Sequence, residues 1–207
     1  MQPFTLWSMP SSGNSYKVRL LLAHLGVNYR HHAAEAGTGI TSSAEFRALN
    51  PDGKVPLVEF ENGQTLRESN AILIYFGLGT DWLPEDRLSH ARVMQWMFFE
   101  QYNHEPAIAV RAGILTYEDR AHLRTPSVLD PLLEKGHAAL ATMDRQLEES
   151  PFLAGYTPTL ADICLYAYTH SAGSKGGFDM DRFSAIRRWL DDMSSMPKHV
   201  ILDWLPS

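Results

Sequence analysis

Residues 54–76 read KVPLVEFENGQTLRESNAILIYF and combine a Val-Pro step, a hairpin and the start of a helix. Val55 precedes a proline, which favours an extended backbone and leaves the main-chain N–H and C=O of Val55 available to pair with a peptide-like ligand. Leu57 to Phe60 predicts a strand, Asn62-Gly63 a two-residue turn, and Gln64 to Leu66 the return strand. The stretch therefore predicts a hairpin beside a ligand seat made of backbone.

A helix from Asn70 to about Gly77 is predicted to begin directly after Ser69, next to this seat. The free N–H groups and the positive dipole at a helix start bind a carboxylate, and the carboxylate of Glu68 attracts an ammonium group. An ammonium and a carboxylate on one carbon make the head of an amino acid. The stretch therefore predicts an amino-acid-like ligand.

The composition is that of an ordinary globular protein. The chain has 207 residues, of which 44% are hydrophobic and 20% charged, enough for one large domain or two small ones. A formal charge of −6 without any basic run argues against nucleic acid or an anionic membrane as a partner. The first residues lack a signal-peptide pattern and no apolar run approaches about 18 residues, so we expect a cytoplasmic location.

Cysteine and histidine usage restricts the possible chemistry. A single cysteine, Cys164, excludes an internal disulfide, a CxxC redox pair and a multi-cysteine zinc site. The nine histidines show neither HExxH nor HxH spacing, so no metal site is expected. Any thiol chemistry must therefore use a thiol that is brought in from outside.

The elements before the hairpin complete a recognisable order. Ser42 and Glu45 form a capping-box pattern, and Gly26 sits where a helix would end. The predicted elements are a strand over Phe4 to Trp7, a helix with Val18, Leu21, Leu22 and Leu25 on one face, a strand over Val27 to His31, and a helix over Ala44 to Leu49. The resulting βαβαββα order is thioredoxin-like and predicts a mixed four-stranded sheet.

After the helix that ends at about Gly77, the sequence shows no further strand pattern. We expect a thioredoxin-like domain over residues 1–80, a linker over 81–86 and an all-helical domain over 87–207, which gives an α/β plus all-α fold class. Thr159 and Asp162 form a T-x-x-D capping pattern, and we interpret Asp162 as a structural cap rather than a catalytic carboxylate. The predicted helices are Arg87 to Tyr117, Ser127 to Glu149, Leu160 to Ala172, and Phe183 to Met193.

Three segments, in this order and spacing, resemble the cytosolic glutathione transferases. They are SSGNSYKVRLLLAHLGV at 11–27, KVP followed by ESNAILIYF at 54–76, and TLAD at 159–162. The resemblance covers the whole chain and is to the serine-type theta, zeta and delta classes. It implies a homodimeric detoxification enzyme that uses glutathione as a co-substrate and no metal.

The resemblance also implies which residues bind glutathione. Pro56 would follow a cis peptide bond, so that Val55 pairs with the cysteinyl backbone of glutathione. Glu68 and Ser69 would hold the γ-glutamyl group. Lys54 matches a lysine near the glycyl carboxylate, and Thr41 falls where several classes place a longer histidine or glutamine for the same group.

The catalytic requirement is to lower the thiol pKa of glutathione from about 8.5, because the thiolate is the nucleophile. A hydroxyl donor at a helix start meets this requirement. Counting back from Gly26, Ser12 takes the position of the catalytic serine of the resembled classes. Three neighbours remain alternatives: Ser11, Ser15, which is also a candidate helix cap, and Asn14, whose amide can donate to a thiolate.

At two positions the sequence differs from particular classes of the family, and these differences indicate which class it resembles. Trp7 stands where the tyrosine-dependent classes place their tyrosine, which favours a serine-type mechanism. Asn14 replaces a cysteine of the zeta class, which weakens an interpretation as a maleylacetoacetate isomerase. The resemblance further places the electrophile against the start of a long helix, with candidate wall residues Tyr102, Asn103, Pro106, Ile108 and Arg111.

Arg111 has two interpretations: it pairs with an anionic substrate, or with Glu100 or Glu118 on its own helix. The leading functional hypothesis is conjugation of the glutathione thiolate to a small electrophile. The alternatives are glutathione-dependent reduction of disulfides or peroxides, as in bacterial relatives with Thr or Asn in the loop, and a non-catalytic transferase-like scaffold. The pattern does not name the electrophile.

Overall fold

The computed structural model describes residues 2–35 and 37–206, which divide into two compact units. One unit comprises the residues up to Leu78 together with those from Pro197 onward, and the other is Gly79–Met196. We expected the whole of 87–207 to belong to the helical domain. The C-terminal segment instead joins the first unit because its backbone carbonyls accept hydrogen bonds from that unit's first helix.

The first unit has the predicted thioredoxin-like order. Its described elements are β1 (Phe4–Ser8), α1 (Gly13–Leu25), β2 (Arg30–Ala33), α2 (Ala44–Leu49), β3 (Leu57–Phe60), β4 (Thr65–Arg67) and α3 (Ser69–Gly77). These strands form one sheet in the order β2-β1-β3-β4, in which β1 and β2 are parallel and the other neighbours antiparallel. Gly26 has a φ of 66° and ends α1 as predicted.

Local details of this unit differ from the prediction. The hairpin loop has three residues rather than two, since Glu59 pairs with Thr65 and the Phe60 N–H donates to the Gln64 carbonyl at 2.9 Å. Gly63, with a φ of 81°, supplies the left-handed residue that such a loop requires. The cap of α2 is Ser43, whose hydroxyl accepts the Phe46 N–H at 3.1 Å, so the predicted Ser42 cap is wrong by one position.

The core of the first unit lies on both faces of the sheet. Phe4 of β1 packs against Phe76 of α3, with ring centroids 4.9 Å apart. On the opposite face, Trp7 contacts Phe46 of α2 edge to face at 5.5 Å. The sheet thereby holds α1 and α3 on one side, where buried side chains include Leu6, Leu20, Leu21, Ile72 and Leu73.

The described part of the second unit is helical apart from one isolated bridge between Phe152 and Gly155. A π-helical segment, Glu100–His104, interrupts what was predicted as one helix. Pro106 explains the interruption, because proline lacks the N–H that a continuous α-helix would use. The α-helices are α4 (Arg87–Phe99), α5 (Glu105–Thr116), α6 (Pro126–Glu149), α7 (Leu160–Thr169), α8 (Ala172–Gly176) and α9 (Ser184–Ser194).

Asp162 is a buried structural cap at the start of α7, as predicted. Its side chain is fully buried and accepts hydrogen bonds from the Thr159 N–H at 2.8 Å and from the Leu153 N–H at 3.0 Å. The Trp189 indole N–H donates to the same carboxyl at 2.9 Å. Burial raises the pKa of Asp162, and these donors oppose that shift by stabilising the charged form. The carboxyl thus joins α7, α9 and the preceding loop.

Candidate active site

The Val-Pro step forms an open backbone edge in the first unit. The Val55–Pro56 peptide bond is cis, and Pro56 is buried directly before β3. Val55 lies outside the strand and is partly exposed. No described residue forms a backbone hydrogen bond with its N–H or C=O. Val55 therefore presents one donor and one acceptor on the same extended residue.

Glu68 and Ser69 begin α3 beside this edge. Glu68 has a φ of 71° and a ψ of 115°, a backbone conformation that is unfavourable for a residue with a side chain. Such strained residues concentrate at ligand sites. The Glu68 side chain is exposed, whereas Ser69 is buried to 5% exposure. The start of α3 therefore offers a carboxylate that faces solvent and a hydroxyl in the interior.

The starts of α1 and α3 are joined by side chains. The Ser69 hydroxyl donates to the Asn14 side-chain oxygen at 3.2 Å. The ammonium group of Lys17, which is fully buried, lies 3.5 Å from the Ser69 hydroxyl and 3.4 Å from the Asn70 side-chain oxygen. Both helix starts carry a partial positive charge. The arrangement thus concentrates positive potential at two adjacent helix starts, where an anionic ligand is stabilised.

Sequence reasoning missed Lys17. It lies three residues after Asn14 on α1, so both side chains lie on the same face of the helix. Lysine is almost never fully buried without a partner. Its partners Ser69 and Asn70 lie more than 50 positions away on α3, so no local pattern of α1 predicts this contact.

The candidate serines of the loop have different hydrogen bonds. The Ser11 hydroxyl donates to the Glu35 carboxylate at 2.7 Å, which occupies its single proton. Ser15 is fully buried and its hydroxyl accepts the Met9 N–H at 3.1 Å. Ser12 is the N-cap of α1, and its hydroxyl oxygen accepts the Ser15 N–H at 3.3 Å. A cap uses only the oxygen, and no described residue accepts a hydrogen bond from the Ser12 hydroxyl, so its proton is available to a ligand.

Thr41 and Lys54 lie in neighbouring loops. Gly53 has a φ of 62°, and a side chain there would come within 2.9 Å of the Thr41 carbonyl oxygen. The Asn50 side chain donates to the Lys54 carbonyl at 2.7 Å, which fixes the backbone before Val55. The Lys54 side chain is exposed and Thr41 partly so. The Thr41 carbonyl thus lies beside Gly53, and the Lys54 backbone is held directly before Val55.

Two family models match this chain. Residues 2–77 match the glutathione S-transferase N-terminal domain, and residues 126–192 match the glutathione S-transferase C-terminal domain. The crystal structure of a glutathione S-transferase from Pseudomonas fluorescens is 41% identical, with a TM-score of 0.91, over 96% of this chain and 98% of that one. The chain belongs to the glutathione S-transferase family.

More distant relatives of this transferase-family chain have names that indicate other functions. The disulfide-bond oxidoreductase YfcG of Escherichia coli is 24% identical over 89% of this chain and 87% of its own length. Protein URE2 of Eremothecium gossypii is 28% identical over 76% of this chain. The chain spans about half the length of that relative. Solved structures of the same fold include Ure2p in complex with glutathione, at 20% identity and a TM-score of 0.85, over 95% of this chain and 91% of that one.

The predicted electrophile residues separate into two groups. Tyr102, at 84% exposure, and Asn103 lie exposed on the π-helical segment, and Pro106 is exposed just after it. Such segments are frequent at functional sites, because the extra residue per turn displaces side chains from the regular helix surface. These three residues form an accessible surface at the start of α5.

Ile108 and Arg111 belong to the interior of the helical unit. Ile108 is fully buried, so it is a core residue rather than the pocket wall that we expected. The Arg111 guanidinium donates to the carbonyls of Gly176 and Leu129, each at 2.7 Å. Within the described part of the chain Arg111 forms an ion pair with neither Glu100 nor Glu118, and Glu118 instead pairs with Arg124 at 3.1 Å. Arg111 thus ties α5 to α6 and α8.

Within residues 2–35 and 37–206, no group of three or more His, Cys, Asp and Glu side chains is placed to hold a metal ion. None of the helices described there combines the length and the apolar character needed to cross a membrane. The one cysteine, Cys164, is buried in α7.

Proposed function

We propose that the protein conjugates the thiolate of glutathione to a small electrophilic substrate. The observation that carries this proposal is the N-cap geometry of Ser12, whose oxygen is used by α1 while its proton remains to be donated. A donor at this position acts together with the helix dipole to favour a thiolate over a thiol. Both effects lower the thiol pKa of a bound glutathione.

The tripeptide is assigned to the open edge and the helix starts. The backbone of Val55 pairs with the cysteinyl residue of glutathione, and this assignment is supported by the Val55 N–H and C=O, which bond to no described backbone group. The γ-glutamyl ammonium group pairs with Glu68, and its carboxylate is held at the start of α3 by Ser69. The glycyl carboxylate is assigned to Lys54 and Thr41. The buried ammonium group of Lys17 adds attraction for the γ-glutamyl carboxylate.

In the reaction, the thiol proton leaves to solvent and Ser12 hydrogen-bonds to the sulfur anion. The sulfur electron pair then forms a C–S bond to an electrophilic carbon, and the leaving group departs with the electron pair of its own bond. The product is a thioether. We assign the contacts with the electrophile to the exposed residues Tyr102, Asn103 and Pro106. We also propose that the protein is cytoplasmic.

Disulfide reduction is the second candidate. The full-length similarity to a disulfide-bond oxidoreductase favours it, and so does Asn14, an amide in the first turn of α1. Glutathione thiolate would attack one sulfur of a mixed disulfide, form glutathione disulfide and release the second sulfur as a thiol. The protein would contribute no thiol of its own, because Cys164 is buried.

A substrate comparison distinguishes the two candidates. We expect turnover with 1-chloro-2,4-dinitrobenzene to exceed turnover with a hydroperoxide or a mixed disulfide of glutathione. The variant Asn14→Ala should lose less conjugating activity than Ser12→Ala. The opposite ranking, with the mixed disulfide as the best substrate and Asn14 the more sensitive residue, would assign the protein to the reductases.

We further propose a homodimer in which α4 forms part of the interface. A groove of about 790 Å³ on α4 is lined by His90, Ala91, Met94 and Phe98, and Phe98 is 69% exposed. An exposed apolar face of this kind marks an association surface. The first unit has an apolar counterpart in Leu78, which is 60% exposed.

Sedimentation analysis tests the dimer. The wild-type chain should sediment at twice its mass of 23.3 kDa, and Phe98→Glu should shift it towards the monomer because a charge would be buried in the interface. Tyr156→Glu is the matched control, since Tyr156 is 82% exposed and lies outside the groove. A wild-type chain that sediments as a monomer at micromolar concentration would refute the proposed dimer.

A further inference from the structure

A buried arginine connects the loop at residues 8–12, which contains Ser12, to the C-terminal segment at residues 197–206. Arg19 of α1 is fully buried. Its Nη1 donates to the Ser8 hydroxyl at 3.0 Å and to the Met9 carbonyl at 3.1 Å. Its Nη2 donates to the Pro10 carbonyl at 2.8 Å and to the Leu202 carbonyl. One guanidinium therefore holds three consecutive residues that precede Ser11 and Ser12, and one residue from the end of the chain.

The loop depends on this anchor for its shape. The Met9 carbonyl accepts the Ser12 N–H at 3.1 Å as well as the bond from Arg19, and the Met9 N–H donates to the Ser15 hydroxyl at 3.1 Å. The carbonyl that receives the guanidinium is thus the one that sets the backbone position of Ser12. A displacement of this carbonyl would be passed directly to the Ser12 hydroxyl.

The C-terminal segment lies along α1 through further contacts. The Tyr16 hydroxyl donates to the Val200 carbonyl at 2.7 Å, and Tyr16 is almost fully buried. About two turns further along α1, a His24 ring nitrogen lies 3.1 Å from the Pro197 carbonyl. These bonds use backbone carbonyls of a segment without a helix or strand of its own. The segment is therefore held by the side chains of α1.

We propose that Arg19, together with the C-terminal segment 197–206, positions the loop that presents Ser12 to the glutathione sulfur. Arg19 is a positioning residue, because its contacts are with the loop and the segment and not with the proposed ligand. This inference rests on the proposed function, since it assigns a role at the same sulfur site. It adds that the end of the chain is part of the support of that site.

The chemistry of the guanidinium explains why arginine is required. Its planar fork directs several N–H donors in fixed directions, whereas a lysine ammonium is a compact point charge on a flexible stem. A lysine at this position would reach the loop or the Leu202 carbonyl, but not all four oxygens. Burial lowers the pKa of Arg19 to about 10, so the group stays charged at neutral pH and keeps its donors. The negative charges of Glu35 and Asp203 act in favour of that charged form.

The test measures the thiol pKa of bound glutathione and the kcat for conjugation in the full-length variants Arg19→Lys and Tyr16→Phe. Arg19→Lys is expected to raise the thiol pKa of bound glutathione towards its free value and to lower kcat by about 10- to 100-fold, the range caused by misplacing a catalytic group by about 1 Å. The KM for glutathione should change far less, because Val55, Glu68 and Ser69 are untouched. Tyr16→Phe loosens only the segment and should shift the same two quantities in the same direction by less.

Arg30→Lys is the matched control. Arg30 belongs to the same unit, but its side chain is 70% exposed and pairs with the exposed Glu61 at 3.7 Å. This variant should keep the wild-type thiol pKa and kcat. A folded Arg19→Lys variant with wild-type values of both would overturn the inference. If Arg19→Lys does not fold, Tyr16→Phe decides, and wild-type values in that variant would overturn it equally.

A failure of the positioning role of Arg19 can be distinguished from a failure of the proposed conjugation mechanism. If wild-type protein binds glutathione but does not lower its thiol pKa, the proposed conjugation mechanism fails, whatever the variants do. If the wild-type protein lowers the thiol pKa and the Arg19 and Tyr16 variants do so equally, only the positioning role fails.

Discussion

Replacing Ser12 with alanine should lower kcat for conjugation by about 100-fold, the loss usually seen when one hydrogen-bond donor to a developing or bound anion is removed. Ser12 is the residue of the loop whose oxygen caps α1 while its proton remains to be donated. The thiol pKa of bound glutathione should rise towards about 8.5, the ordinary value of a cysteine thiol. Steady-state kinetics and ultraviolet absorption of the thiolate measure the two effects.

The same substitution also removes a helix cap, which costs about 1 kcal/mol of stability. Ser43→Ala is the matched control, because the Ser43 hydroxyl caps α2 by accepting the Phe46 N–H and is not assigned to the ligand. It should lower stability similarly and leave kcat unchanged. Ser12→Thr, which keeps both the hydroxyl and the cap, should retain most activity. Full activity of Ser12→Ala alongside an inactive Ser11→Ala would transfer the role to Ser11.

Replacing Asp162 with alanine should lower the free energy of unfolding by at least about 3 kcal/mol. The substitution leaves four buried donors without this acceptor, namely the N–H groups of Leu153 and Thr159, the Thr159 hydroxyl and the indole N–H of Trp189. Each buried donor left unsatisfied costs about 1–3 kcal/mol. For a chain of this size the melting temperature should fall by about 10 °C. Thermal unfolding followed by circular dichroism measures the change.

Asp86→Ala is the control for this prediction. Asp86 caps α4 in the same way, by accepting the N–H groups of Leu88 and Ser89, but it is exposed, so water replaces the lost acceptor. The effect of Asp86→Ala on the melting temperature should therefore be much smaller than that of Asp162→Ala. Equal shifts in the two variants would show that burial of the Asp162 carboxyl contributes nothing to its role.

The architecture followed from the sequence where local signals agreed. The order of strands and helices in the first unit, the end of α1 at Gly26 and the Thr159–Asp162 cap were each predicted from a short pattern and are present. The hairpin loop is one residue longer than predicted, and the α2 cap lies one residue later than predicted. Ser42 and Ser43 are both suitable caps by residue type, and the pairing of Phe60 with Gln64 depends on the strand register, so the local pattern alone settles neither detail.

The polar support of the site was not predictable in the same way. Lys17 and Arg19 read as ordinary charged residues of an amphipathic helix, yet both are fully buried, because their partners come from α3 and from the end of the chain. Contacts between residues more than 50 positions apart leave no local pattern. For the same reason Ile108 was assigned to a pocket wall although it packs in the core.

The central claim is that this protein lowers the thiol pKa of the glutathione it binds. Ultraviolet titration of the complex, with thiolate absorption followed as a function of pH under saturating protein, tests it most directly. We predict a thiol pKa clearly below the ordinary value of about 8.5 in the wild-type complex, and a value close to 8.5 in the Ser12→Ala complex. A wild-type complex that titrates like free glutathione would contradict the account.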